Sequence, residues 1–288
     1  MPDLPINYHE DAPLFRDAIR FTAAETGFSE RLIEKDYYCT VALADLTGSV
    51  TEHVFKGGTC LSKIHSDFYR LSEDLDFGIS MPVDASRNQR SKRVDTFKTH
   101  LAGIEERLGV LRIIDPFRGF NNSMQYGGRL AYRSAVTGQD DYVRIEMSVR
   151  EPVIESPVRL PARTLLLDPF RGSHAVLAID VTVLTRRETY AEKLRAALSR
   201  RDPAIRDFFD LDHAMSVAKV DLRDDKLLDL LRQKLSIPGN EPVDMTAEKL
   251  ELLRVQLETQ LKPVLRSEDY AAFDLDRAFE CVAELDLR

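Results

Sequence analysis

The stretch Val-Phe-Lys-Gly-Gly-Thr-Cys-Leu-Ser-Lys at residues 54–63 joins a short apolar strand to a helical pattern through two consecutive glycines. A strand that turns directly into a helix leaves backbone N–H groups at the positive end of the helix dipole, which suits a phosphate group. Glycine allows a ligand to approach the backbone closely and permits positive φ angles. Thr59 adds a hydroxyl group, and Lys56 and Lys63 add positive charge on either side. The stretch therefore predicts a phosphate-binding turn, with a purely structural turn as the alternative.

A second informative stretch, Arg-Leu-Ser-Glu-Asp-Leu-Asp-Phe, follows at residues 70–77. Asp74 and Asp76 are two positions apart on a predicted strand, so both side chains leave the same face, with Cα atoms about 6.6 Å apart. Two such carboxylates repel each other and lose hydration on a sheet, and a bound Mg²⁺ would offset both costs. The alternative is that both face solvent while Leu75 and Phe77 face the core. A glycine turn, a helix and Asp-x-Asp within twenty residues are together more specific than either part.

A third carboxylate is expected in a site of this kind. Glu146 is one candidate, because it lies in the middle of the predicted strand 142–149. Asp180, in the predicted strand 176–184, is the competing candidate. Either residue could instead be an exposed strand residue that is paired with a neighbouring cation.

The composition excludes several classes of protein. The chain has 288 residues, of which 43% are hydrophobic and 31% charged, so it has enough apolar side chains for a buried core. Its net charge of −8 argues against a general nucleic-acid binder, although Lys and Arg concentrate in residues 86–118 and 186–206, where they could hold an anionic ligand. The three cysteines are too few and too far apart for a disulfide framework or a metal cage. No apolar run reaches the roughly 18 residues of a transmembrane helix, and residues 1–5 lack signal-peptide features, so we expect a cytoplasmic protein without membrane association.

Hydrophobic periodicity predicts an α+β fold in two parts. Residues 1–185 are expected to form an α/β core with a mixed β-sheet and N-terminal helices, and residues 186–288 an all-helical part. The first part has predicted helices at 12–25, 30–46, 59–69 and 87–108, and predicted strands at 53–56, 75–79, 124–134, 142–149 and 176–184. The second part has predicted helices at 189–201, 203–218, 223–235, 246–262 and 268–284.

The segments from about residue 30 to residue 215 resemble, in collinear order, the AbiEii class of abortive-infection nucleotidyltransferase toxins. That class is similar in fold to the DNA polymerase β-type nucleotidyltransferases. The segments that carry the resemblance are Ile-Glu-Lys-Asp-Tyr-Tyr at 33–38, the stretches 55–63 and 70–77, Arg-Ile-Glu at 144–146, Glu-Lys-Leu-Arg-Ala-Ala-Leu at 192–198 and Arg-Asp-Phe-Phe-Asp-Leu at 206–211. Cys60 departs from the small apolar residue usual in the family. The intervening residues 202–205 alter the spacing before the last motif, which leaves the roles of Asp207 and Asp210 interchangeable.

The resemblance implies a role for each matching residue. Asp74, Asp76 and Glu146 would bind Mg²⁺, and Glu146 would also help to activate the attacking hydroxyl group. Lys193 would reach the nucleotide phosphates, with Asp210 or Asp207 orienting it or the acceptor. The predicted NTP-binding set consists of Lys56, Gly57, Gly58, Thr59, Ser62, Lys63, Arg70 and Ser72.

The expected function is that of a Mg²⁺-dependent nucleotidyltransferase toxin that transfers NMP from an NTP to an RNA acceptor, with the 3′ end of tRNA as the first expectation. The resemblance also implies a cognate antitoxin in a toxin–antitoxin or phage-defence system. Two alternatives stay open: a kinase-type phosphotransferase on the same scaffold, and a catalytically inactive module that binds a nucleotide or a partner. The sequence leaves the oligomeric state open.

Overall fold

The structure, a computed structural model, describes residues 7–49 and 52–287. After a short 3₁₀ turn, Tyr8–Glu10, the chain forms two long helices. Helix α1 (Ala12–Thr26) begins where the Asp11 carboxylate accepts a hydrogen bond from the Leu14 amide, and it ends at Gly27 with a φ of 76°. Helix α2 (Glu30–Ser49) continues past the predicted end at residue 46. The prediction that residues 1–5 lack a signal segment lies outside the described residues.

The chain divides into two units, Met1–Leu184 and Thr185–Arg288. The first unit contains a seven-stranded mixed sheet with the strand order β3-β4-β5-β2-β1-β7-β6. Strand β2 is antiparallel to β1 and parallel to β5, and β1 is parallel to β7. The α+β prediction is therefore confirmed. The strands are β1 (Val54–Lys56), β2 (Asp74–Gly78), β3 (Arg112–Phe120), β4 (Gln125–Arg133), β5 (Asp140–Ser148), β6 (Val158–Ala162) and β7 (Ile179–Val183).

The central strands separate a core face from a polar face. Leu75 and Phe77 on β2 are at most 1% exposed, and they share their face with the fully buried Phe55 of β1 and Ile145 of β5. The ring of Phe77 packs against Phe55 at a centroid distance of 5.6 Å. Because side chains alternate along a strand, this burial places the intervening polar residues of β1, β2 and β5 on the other face.

Two strands of the sheet, β3 and β6, are absent from the predicted elements. Both are edge strands, and each contains a proline, Pro116 in β3 and Pro161 in β6. Strand β3 is also mostly exposed, and its pairing with β4 is interrupted by two register shifts. Edge strands that carry proline and irregular pairing lack the clean alternation of a half-buried strand, so periodicity does not reveal them.

Two predicted helices of the first unit differ in length from the observed ones. Instead of one helix over 59–69, a four-residue helix α3 (Gly57–Cys60) passes into a π-helical turn, Leu61–His65. The chain then takes positive φ angles at Asp67 and Phe68, which end any helix. The predicted helix 87–108 is broken at Gly103 into α4 (Arg87–Ala102) and α5 (Ile104–Leu108).

In its described residues the second unit contains helices and no strand. Helix α6 (Arg186–Ser199) begins at Thr185, whose hydroxyl accepts a hydrogen bond from the Glu188 amide. Of the predicted helices, 246–262 and 268–284 are each interrupted, the second of them at Phe273 and Asp274. The remaining helices are α7 (Ile205–Ser216), α8 (Asp225–Leu235), α9 (Ala247–Arg254), α10 (Ser267–Ala272) and α11 (Leu275–Ala283).

None of the helices in the described residues combines the length and the apolar character that crossing a bilayer requires. All three cysteines are free thiols, and Cys39 and Cys60 are buried. Burial raises the pKa of the Cys39 thiol, so this residue is an inert core side chain.

Candidate active site

The glycine turn between β1 and α3 lies directly against an acidic side chain. Gly57 has a φ of +75°, which an L-residue with a side chain rarely adopts. A Cβ atom placed on Gly57 would be 2.1 Å from Oδ2 of Asp76. Glycine is therefore required for two reasons, the backbone conformation and the space that the carboxylate occupies. The turn and Asp76 form a single site.

Strand pairing gathers further charged residues on the same face. Asp76 is the register partner of Lys56 on one side and of Glu146 on the other, and Asp74 is the partner of Arg144. Register partners on adjacent strands have Cα atoms about 5 Å apart, so these side chains are neighbours. Asp74 and Asp76 are half-buried, and the Glu146 side chain is 37% exposed.

The predicted metal ligands fit Mg²⁺ in their chemistry and their register. Asp74 and Asp76 offer hard oxygen ligands from one face, beside a turn that has no room for a Cβ. Glu146 lies next to Asp76, but its Oε1 is held by Nη2 of Arg144 at 2.7 Å. Within residues 7–49 and 52–287 no three His, Cys, Asp or Glu side chains are grouped closely enough to hold a metal ion. Arg144 must therefore release Glu146 before all three carboxylates can share one ion.

The competing carboxylate, Asp180, lies elsewhere on the sheet. Strand β7 pairs with β1 through Val183 and Phe55, so Asp180 is displaced from the level of Lys56 by four residues, about 13 Å along the strand. The register thus brings Glu146, and not Asp180, next to Asp76.

Three side chains that the sequence assigned to NTP binding point into the protein instead. The Thr59 hydroxyl, in a residue that is 1% exposed, donates to the carbonyl oxygen of Asp74. The Ser62 hydroxyl donates to the carbonyl oxygen of Arg70 at 2.5 Å. Lys63 is also 1% exposed, and its Nζ lies 2.6 Å from Oδ1 of Asp36. The polar atoms of these side chains are engaged by backbone carbonyls and by the Asp36 carboxylate. The structure therefore does not direct Thr59, Ser62 and Lys63 toward a phosphate group at the glycine turn.

Arg70 and Ser72 do lie at the turn. A Cβ on Gly58 would be 2.7 Å from Nη2 of Arg70 and 3.0 Å from Oγ of Ser72. Arg70 is only 2% exposed, and its Nη1 donates to the carbonyl oxygen of Leu71 at 3.3 Å. A guanidinium group and a hydroxyl group therefore support the second glycine of the turn, as the first glycine is supported by Asp76.

In the second unit, the predicted lysine and both predicted aspartates meet. Nζ of Lys193 on α6 lies 2.9 Å from Oδ1 of Asp207 and 2.8 Å from Oδ2 of Asp210, both on α7. The Lys193 side chain is 13% exposed, whereas those of Asp207 and Asp210 are 6% and 0% exposed. Asp207 also accepts from Nη1 of Arg200 at 3.5 Å. Both aspartates contact the ammonium group, and the choice between Asp207 and Asp210 for the role in the reaction stays a prediction.

A sequence model described as nucleotidyl transferase AbiEii toxin, type IV TA system, matches residues 42–280. The chain belongs to this AbiEii family. The match extends well beyond residue 215, where the motifs that resemble the family end, and so includes most of the helical unit. No curated protein sequence matches the chain.

Solved structures similar to this AbiEii-family chain include two from Helicobacter pylori. One is the protein JHP933, with a TM-score of 0.47 and 17% identity over 88% of this chain and 84% of that one. Another is described as a putative nucleotidyltransferase, with a TM-score of 0.45 and 16% identity over 98% of this chain and 92% of that one.

The AbiEii-like segment at 33–38 supports the site without facing it. Glu34 accepts from the Ser134 hydroxyl at 2.5 Å and the Ala135 amide at 2.6 Å, and its burial raises the pKa of the carboxyl group. Lys35 binds Asp141 at 3.1 Å, at the start of β5. Burial raises the pKa of the Asp141 carboxyl group, but the Tyr142 amide and the charges of Lys35 and Arg31 outweigh it and lower the pKa overall. The charged residues of α2 therefore fix the ends of the strands and loops that carry the site.

Tyr37 and Tyr38 belong to the core of the first unit, being 0% and 3% exposed. Tyr38 stacks on Tyr132 with ring centroids 3.9 Å apart. Both rings therefore serve packing in the core, and neither is exposed as a platform for a stacked base.

Lys234, a buried lysine of the second unit, was not identified from the sequence. Its Nζ binds Glu188 at 2.7 Å and Glu192 at 3.1 Å, so α8 is joined to α6 beside Lys193. Lys234 follows Leu227 and Leu231 on the apolar stripe of α8, and a cation on such a stripe is the signal that could have revealed it.

Proposed function

We propose that this AbiEii-family protein is a Mg²⁺-dependent nucleotidyltransferase that moves NMP from an NTP to the 3′ end of an RNA, with tRNA as the acceptor. The observation that carries the proposal is the contact between the Gly57 backbone and the Asp76 carboxylate, with Glu146 in register beside it. A triphosphate and a hard cation need those two groups side by side. Family membership supports the same reaction class.

In the proposed reaction the first unit binds and orients the nucleotide. The N–H groups of Gly57 and Gly58 donate to phosphate oxygens, and Lys56 adds positive charge at the edge of the turn. Arg70 and Ser72 hold the second glycine in place. Mg²⁺, when bound by Asp74 and Asp76, supplies neutralisation of the phosphate charge.

The remaining proposed roles concern the acceptor and the leaving group. Glu146, once released by Arg144, would complete the ligand set. Glu146 accepts the proton of the attacking hydroxyl group, the oxygen of that group bonds to the α-phosphorus of the NTP, and the bond from the α-phosphorus to the bridging oxygen breaks so that pyrophosphate leaves. Within the helical unit, Asp207 and Asp210 orient Lys193, whose proposed role toward the nucleotide phosphates rests on the family resemblance. Nothing in this scheme requires a covalent intermediate on the protein, so positioning and charge neutralisation supply the rate acceleration.

The test is to incubate the protein with tRNA, Mg²⁺ and each NTP labelled at either the α- or the γ-phosphate. We expect the α-label to appear on RNA and the label to be lost in Asp76→Asn. Asp140→Asn is the matched control, because Asp140 lies on β5 of the same sheet but its side chain is 49% exposed and paired with Arg112.

Three results would contradict the proposal. Transfer of the γ-label would indicate a kinase. Labelling that is unaffected by Asp76→Asn would remove the assigned site. An absence of labelling with every NTP, combined with nucleotide binding, would leave a binding module.

We also propose that a cognate antitoxin counteracts the protein, on the basis of the family's description as a type IV toxin–antitoxin component. Expression of the protein alone should arrest growth, and co-expression with the product of the adjacent reading frame should restore it. Cells that express the Asp76→Asn variant should grow without the antitoxin. Growth arrest by Asp76→Asn would show that toxicity is independent of the proposed site.

A further inference from the structure

A buried ion pair between Lys63 and Asp36 joins the segment that follows the glycine turn to helix α2. Lys63 is on the π-helical turn that continues α3, and Asp36 is on α2. Their side chains are 1% and 2% exposed, and Nζ is 2.6 Å from Oδ1. The ammonium group also donates to the Thr40 hydroxyl at 2.7 Å and to the carbonyl oxygens of Asp36 and Arg163 at 3.2 and 3.3 Å.

The carboxylate of Asp36 is equally engaged. Its Oδ2 accepts from the Thr164 hydroxyl at 3.1 Å and from the Leu165 amide at 2.8 Å. The pair thus joins three segments: α2, the turn after α3, and the chain that follows β6. Removing two charges from water is costly, and well-packed apolar side chains often replace a buried ion pair without loss of stability. The ion pair is therefore better explained as a link that fixes the relative positions of these three segments than as a source of stability.

The geometry that needs fixing is that of the glycine turn. Helix α3 has four residues, two of them glycine, which is too short to hold its own orientation. Three side chains anchor this segment. The Thr59 hydroxyl holds α3 to the carbonyl of Asp74 on β2, the Ser62 hydroxyl holds the following turn to the carbonyl of Arg70, and Lys63 holds that turn to α2. The Lys63 anchor ties the segment to a separate helix, so it helps to fix where the Gly57 and Gly58 amides lie relative to Asp76.

We infer that Asp36 and Lys63 are positioning residues that hold the glycine turn against Asp76 and so set the affinity for the NTP triphosphate. The inference rests on the proposed function for the identity of the ligand. Neither side chain is open to a nucleotide, because Lys63 is only 1% and Asp36 only 2% exposed. A displacement of the turn weakens triphosphate binding, while the carboxylates that serve the chemistry stay on β2.

The experiment replaces the ion pair by a neutral pair, Asp36→Asn together with Lys63→Met, in the full-length protein. The Asn side chain keeps an acceptor for the Leu165 amide, and no unpaired charge is left buried. We expect the KM for NTP, and the Kd for the same NTP measured without acceptor, to rise about tenfold or more, while kcat stays within about threefold. Hydrogen exchange of the amides of residues 57–61 should become faster.

The matched control is Asp45→Asn with Arg107→Gln. Asp45 lies on the same helix as Asp36, and it binds Nη2 of Arg107 on α5 at 2.7 Å. This variant also removes an ion pair from α2, but it does not touch the glycine turn. We expect no change in Kd or in the exchange of residues 57–61.

Thr40→Val provides a milder second variant in case the double substitution does not fold. It removes one hydrogen bond from Lys63 and keeps the shape of a fully buried side chain. We expect a change in Kd in the same direction, of about two- to threefold.

The outcomes separate the inference from the proposed function. Unchanged exchange and unchanged Kd in a folded double variant would overturn the inference, whether or not the protein transfers NMP. Faster exchange with weaker NTP binding would support it. A wild-type protein that binds NTP but transfers nothing would overturn the proposed reaction alone, since the Kd and exchange measurements do not depend on transfer.

Discussion

The two charged clusters of this molecule differ in exposure. On the sheet of the first unit, Asp74, Asp76 and Glu146 are half-buried or exposed and share a face beside the glycine turn. In the helical unit, Asp207 and Asp210 are almost completely buried and bind Lys193. The carboxylates proposed to bind a ligand are thus partly open to solvent on the sheet, whereas the carboxylates that bind Lys193 are buried in the helical unit. We therefore expect substitutions in the two groups to differ in their effects on activity and on stability.

The largest expected effect is the loss of activity on substitution of Asp76, on the sheet of the first unit. Asp76→Ala should lower nucleotidyl transfer by about 10³-fold, because it removes a proposed metal ligand and the group that faces the glycine turn. Its effect on the free energy of unfolding should be small, because Asp76 is partly exposed and solvent screens the interactions of its carboxylate. Single-turnover transfer assays and urea unfolding measure the two quantities. A large loss of stability would show that Asp76, like Asp210 in the helical unit, is important for stability, and it would contradict the comparison.

The next effect is on the helical cluster. Asp210→Ala should lower the free energy of unfolding of the helical unit by about 3 kcal/mol, because it leaves Lys193 with one of its two carboxylates in a buried setting. Urea denaturation followed by circular dichroism checks this value. Asp229→Ala is the control, because Asp229 is 67% exposed and pairs with Arg232 on the same helix, so the change should be under about 0.5 kcal/mol. Equal losses in the two variants would contradict the comparison.

A substitution in the glycine turn should reduce activity through a steric clash with Asp76 as well as through backbone strain. Gly57→Ala should lower transfer by about 10²-fold, because its Cβ would displace the Asp76 carboxylate. Gly109→Ala separates strain from displacement, since Gly109 has a φ of +65° and nothing within 4 Å of the Cβ position. That control should lose about 1 kcal/mol of stability and keep its activity. The idea fails if both alanine variants transfer equally well.

The smallest effect concerns the pair that holds Glu146. Arg144→Gln should reduce the Mg²⁺ concentration for half-maximal activity by about two- to fivefold, because Glu146 no longer has to leave an exposed ion pair worth up to about 1 kcal/mol. Arg129→Gln is the control, because Arg129 is the register partner of Arg144 on β4 and pairs with Asp115. A Mg²⁺ titration of transfer compares them. An unchanged midpoint would argue that Glu146 is not a ligand.

Local signals predicted most of the regular elements. The hydrophobic periodicity in 12–25 and in 75–79 gave elements that the structure confirms within a few residues. The edge strands β3 and β6 were missed because their prolines and exposure erase the two-residue period. The break at Gly103 was missed because a single glycine is tolerated in many helices.

The site residues divide in the same way. Asp74 and Asp76 share a face for a local reason, the period of a strand. The directions of Thr59, Ser62 and Lys63 are not local, because they depend on the change from α- to π-helical winding after Cys60 and on anchors that come from Asp36, Arg70 and the backbone of Asp74.

By itself, the sequence determined which short-range patterns exist: a glycine turn, an Asp-x-Asp strand and a helix with two aspartates three residues apart. Bond geometry over a few residues is sufficient to impose these patterns. The tertiary structure alone decided which polar groups face a ligand and which hold the backbone, and which of two distant carboxylates lies beside Asp76. Strand register and burial depend on contacts between residues far apart in the chain, and no local pattern contains that information.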